Sequence, residues 1–69
     1  MVAEIRRIGA ALRISDGGLL KIARDISHNG ALLSLQHMRR EHQEEMLGFL
    51  RQIAATEYVE HEMFDRMLA

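Results

Sequence analysis

The chain has 69 residues with no cysteine and no proline, and nine Lys/Arg against ten Asp/Glu leave it a formal charge of −1. Without cysteine there is neither a disulfide nor a thiolate zinc site, and a domain this small buries only about 60% of the surface its unfolded chain exposes. Such a core needs unusually good helix packing, a carboxylate–imidazole metal site or a second copy of the chain, and self-association is the expected route.

No apolar run approaches the roughly 20 residues that span a bilayer. The first fourteen residues interleave Glu4, Arg6, Arg7 and Arg13 with their apolar positions, so no secretory leader is expected. The absence of cysteine suits a reducing compartment. A cytoplasmic protein forming one helical domain over residues 1–69 is expected.

In chain order, Val2, Ile5, Ile8 and Leu12 form one stripe of helical period, which predicts a first helix over 2–14. Ser15-Asp16-Gly17-Gly18 supplies a cap donor and two glycines, the signals for one helix to stop and the next to start. Leu19, Ile22, Ala23 and Ile26 predict a second helix over 18–27. Ser27-His28-Asn29-Gly30 reads as another break or a kink. Leu35, Met38, His42, Met46, Phe49 and Ile53 then make the longest stripe and predict a long helix over 31–54. Thr56 is a cap candidate with Glu57 in the turn after it. Val59, Met63 and Met67, broadened by Phe64 and Leu68, predict a last helix over 57–68. A competing reading takes the alternation of Ile8, Ala10, Leu12 and Ile14, with the turn pairs Asp16-Gly17 and Asn29-Gly30, as a strand meander. Two Val and one Thr among many Ala, Leu, Met, Glu, Gln and Arg decide for helices. The expected fold is all-α: a small bundle of about four helices built around one long helix, and dimeric.

Charge is unevenly placed. Residues 1–40 carry seven Lys/Arg against three Asp/Glu, and residues 41–69 carry two against seven. A basic half of this kind suits an acidic partner, which can be nucleic acid, an acidic protein or the acidic half of a second copy. Arg6, Arg7, Arg13, Arg24, Arg39 and Arg40 are the candidate partner-binding cations.

Chemistry-bearing constellations are sparse. His37, Glu41 and Glu45 fall at i, i+4, i+8; His42 and Glu45 at i, i+3; Glu57 and His61 at i, i+4. Such pairs can bracket a metal from one helix face, but the Glu-x-x-His order of di-iron bundles is absent. A His/Glu metal-binding helical protein is therefore a third-ranked reading, and no metal or other cofactor is expected. Ser27 stands beside His28, yet adjacent helical residues point apart. No glycine-rich phosphate loop is present. No catalytic residue is expected, and the protein is read as a non-enzyme. Leu19 to Met38 can also be taken as helix-turn-helix, with Ser27–Gly30 as the turn and Ser34, Gln36 and His37 reaching bases.

Three short stretches resemble known families. Arg6-Arg7-Ile8-Gly9, followed by Leu12, Ile14 and Asp16, resembles the opening of the carbon-storage-regulator family of RNA-binding proteins, which implies a β-rich dimer on messenger RNA. Asp25-Ile26-Ser27 with Gly30-Ala31-Leu32 is similar to a motif of cyclic-di-nucleotide-binding barrels. Ile22 to His28 resembles the phospho-acceptor box of sensor kinases, which would make His28 the acceptor. None continues into the rest of its family's pattern, and the chain is assigned to none.

The function expected from the sequence is regulation or adaptation through protein–protein contact by a homodimer. Leu35, Met38, His42, Met46, Phe49, Leu50 and Ile53 are its expected interface, and a protein partner of unspecified identity is expected besides the second copy. The alternative is a nucleic-acid-binding regulator that uses the basic half.

Overall fold

A computed structural model describes the backbone of residues 1–68 and the side-chain surroundings of residues 1–56. Among the described residues the fold is all-helical: α1 (Val2–Ala11), α2 (Asp16–Ser27), a 3-10 turn at Leu35–His37, and α3 (Arg40–Leu68). The expected four-helix bundle is corrected to three α-helices. α1 and α2 pack on each other and on α3. At about 1.5 Å per residue the 29 residues of α3 span about 43 Å, which accounts for overall dimensions of 48 × 20 × 20 Å.

Both short helices end in the same way, and not where the glycines suggest. α1 stops at Ala11, short of the expected residue 14. Arg13 takes the left-handed conformation at φ 60°, its N–H bonds the Ala10 carbonyl, and the Ile14 N–H reaches back to Gly9 at 2.8 Å. α2 stops with His28 left-handed at φ 51° and the Asn29 N–H on the Arg24 carbonyl at 3.0 Å. Both are Schellman-type closures, which satisfy the last carbonyls of the helix. No glycine takes positive φ. Gly17 and Gly18 instead lie in the first turn of α2, where the Ser15 hydroxyl accepts from the Gly18 N–H at 3.1 Å.

The segment from His28 to Arg39 is a strap across the core, and the expected helix start at residue 31 is corrected to Arg40. Asn29 Oδ1 accepts from the Ala31 N–H at 3.1 Å, and Ser34 Oγ caps the 3-10 turn through the Gln36 N–H at 3.3 Å. Leu32, Leu35 and Met38 bury at intervals of three. Side chains from both neighbouring helices hold the strap. Arg24 Nε–H donates to the Leu32 carbonyl at 2.8 Å, and Gln43 Nε2–H to the Met38 carbonyl at 2.9 Å.

The core is Ile5 from α1, Leu19 and Ala23 from α2, Leu32, Leu35 and Met38 from the strap, and Met46, Leu47 and Leu50 from α3. Burial along α3 fades to half at Ile53 and Ala54, and Ala55 and Thr56 are exposed. The expected break at Ala54–Thr56 is absent. Thr56 Oγ1–H donates to the Gln52 carbonyl at 3.0 Å, one turn back inside the helix, and α3 continues unbroken to Leu68.

Candidate interaction surfaces

The expected interface residues divide into two groups. Leu35, Met38, Met46 and Leu50 lie in the chain's own core, because α1, α2 and the strap cover the side of α3 that faces them. Phe49 is 44% exposed. Ile53 and His42 are half-buried. His42, Phe49 and Ile53 are spaced i, i+7 and i+11, so the three share one edge of α3 beside the covered face. That edge is the apolar part of the expected interface that the chain does not bury. The stripe of Val59, Met63 and Met67 falls outside the described side chains.

The basic residues divide as well. Arg24 is half-buried and bonds the strap. Arg39 and Arg40 pair with Glu41 at 3.7 Å and Glu44 at 3.6 Å; both pairs are solvent-exposed, and such pairs contribute about 0–1 kcal/mol. Arg6, Arg7 and Arg13 are exposed and make no ion pair among the described residues. Lys21, which the sequence reading did not single out, shares both properties.

Two shallow depressions flank the strap. One, of about 140 Å³, is lined by Arg6, Asp16, Leu20, Leu33, Ser34 and Leu35. Leu33 there is 77% exposed. It falls outside the three-residue period of Leu32, Leu35 and Met38, and that is the signal in the sequence by which it can be found. The other, of about 330 Å³, is lined by Ser27, Asn29, Leu32, His37, Met38, Arg39 and His42.

The histidine and carboxylate pairs come apart in part. His37 lies in the 3-10 turn and Glu41 in α3, so the expected i, i+4, i+8 face of His37, Glu41 and Glu45 does not form. Among the described residues no group of three His, Asp or Glu is placed to hold a metal. The Glu57–His61 pair lies outside the described side chains. The helix-turn-helix reading is corrected too: after α2 the chain enters the strap and a three-residue 3-10 turn, and Ser34, Gln36 and His37 are not carried on a recognition helix. Among the described residues no helix is long and apolar enough to cross a membrane.

Comparison with known proteins returns no match to this chain among family models, curated proteins or solved structures.

Proposed function

We propose that this chain is a non-enzymatic regulatory or adaptor protein of the cytoplasm that works as a homodimer through protein–protein contact. The observation that supports the reading is the edge of α3. A phenylalanine 44% exposed stands between half-buried Ile53 and His42, on a helix that outruns the elements covering it. Apolar centre and polar rim, here Glu45 and Gln52, is the usual anatomy of a contact surface. A two-fold pair, in which each contact is made twice, is the commonest way for identical chains to cover such a surface. Light scattering of wild type and Phe49→Asp tests it. The wild type is expected to be dimeric at micromolar concentration and Phe49→Asp monomeric with its helix content kept.

A second reading, nucleic-acid binding, draws on Arg6, Arg7 and Arg13, which are exposed and unpaired among the described residues. It requires affinity for a duplex or single strand that falls steeply as salt rises, because phosphate contacts release counterions. Binding that is absent at low salt removes it.

A further inference from the structure

The third helix runs unbroken from Arg40 to Leu68 and is about 43 Å long, against about 15 Å for α1 and about 18 Å for α2. The part beyond Ala54, where burial among the described residues ends, is about 20 Å long at about 1.5 Å per residue. Its sequence is acidic and apolar together. Glu57, Glu60, Glu62 and Asp65 face a single Arg66 in the count of charges, and Val59, Met63 and Met67 recur at one-turn spacing. The backbone register places positions 63 and 67 on the same edge of α3 as Phe49.

At the other end of the same molecule the properties are reversed. Exposed Leu33 and half-buried Leu20 sit in a depression with Arg6. Arg6 and Asp16 balance on that lining. Elsewhere α1, its closing turn and α2 carry the exposed cations Arg7, Arg13 and Lys21 against the exposed acids Glu4 and Asp25, and Glu4 is already paired with Arg51 of α3 at 3.3 Å. An N-terminal half with an excess of cations, seven Lys/Arg against three Asp/Glu over residues 1–40, and an acidic extension are complementary in charge. Pairing two α3 extensions directly would instead set acid against acid, which opposes association.

We infer that the exposed edge of α3 and its extension, Phe49 onward, dock on the Arg6–Leu20–Leu33 depression of a second copy, and that the contact is made twice about a two-fold axis. The inference rests on the homodimer reading and names what covers the α3 edge: the partner's basic N-terminal half in place of the partner's α3.

A charge exchange tests it. One variant carries Arg6→Glu, Arg7→Glu and Arg13→Glu, and the other Glu57→Lys, Glu60→Lys and Glu62→Lys. Each alone sets like charges against each other at both contacts and loses dimerisation on the order of 100-fold in affinity. Mixed in equal amounts, one variant's reversed half faces the other's reversed extension, and a heterodimer returns. Circular dichroism of each variant at the same concentration checks that the helices survive. If a variant unfolds, the salt dependence of the wild-type dimer decides. The inferred contact weakens as salt screens it, and an affinity unchanged by salt overturns it. Retention of dimers by both triple variants, with Phe49→Asp still dissociating, overturns the inference alone. A wild type monomeric at every concentration overturns the homodimer reading with it.

Discussion

Gly9 of α1 lies against Leu19 of α2 so closely that a β-carbon at Gly9 would stand 2.8 Å from both Leu19 methyls. Leu19 is 1% exposed, so its methyls have nowhere to retreat. Gly9→Ala is expected to destabilise the fold by up to about 2 kcal/mol, since overpacking costs about 1–3 kcal/mol and helix propensity recovers about 1. Gly48 of α3 has nothing within 4 Å of the same added atom. Gly48→Ala is therefore expected to stabilise by up to about 1 kcal/mol. Urea midpoints of the two variants at one protein concentration check the opposite signs.

His28 closes α2 in the left-handed region at φ 51°. A side chain held there costs about 1 kcal/mol, and glycine is free of that cost but loses more backbone entropy on folding. His28→Gly is expected to raise stability by about 0.5 kcal/mol, and His28→Val, β-branched, to lower it by at least about 1 kcal/mol. If both variants lower it equally, the histidine side chain matters for more than the turn.

Arg24 is expected to behave as a structural residue. Its Nε–H holds the Leu32 carbonyl at 2.8 Å and with it the strap over Leu19 and Ala23. Arg24→Ala is expected to cost about 1–3 kcal/mol, and Arg24→Lys to recover little, since an ammonium does not reproduce the guanidinium's directed donor. Hydrogen exchange is the more pointed measurement: the Leu32 and Met38 amides should lose protection before those of α1.

Helical class, the first two helices and most core positions are legible in the sequence, because Val2, Ile5, Ile8 and Leu19, Ala23 recur at the helical period. The long stripe misleads for a physical reason. Leu32, Leu35 and Met38 recur every three residues, which fits the seam of an α-helix as well as it fits a strap with a 3-10 turn. The strap is held by Arg24 and Gln43, reaching from the flanking helices to its carbonyls, and by the side-chain turns of Asn29 and Ser34 within it. Thr56 reads as a cap, but after Ala54 and Ala55, the best of helix formers, its hydroxyl bonds the preceding turn and the helix runs on. The glycines mislead in the same way: the left-handed positions belong to Arg13 and His28, of which only histidine is among the residues enriched there. For the candidate surface, spacing alone cannot tell covered Met46 and Leu50 from exposed Phe49, since all three lie within one broad apolar arc and the covering helices decide which part is left over.

Met46 and Phe49 should then answer the same substitution differently. Met46 is fully buried, and Met46→Asp is expected to unfold the chain, because an unpaired buried charge costs about 3–5 kcal/mol. Phe49, 44% exposed, gives up about half of a phenylalanine's burial, so Phe49→Asp is expected to cost only about 1 kcal/mol in the dissociated chain. Equal unfolding of both, followed by circular dichroism, would place Phe49 in the core instead of at a contact.

The most direct measurement is the mass of the wild-type chain in solution. Light scattering across a micromolar concentration series is expected to give twice the 7.9 kDa of one chain, falling toward one chain only on dilution. A mass of 7.9 kDa at every concentration would contradict the account and leave the α3 edge with Phe49 uncovered by any second copy.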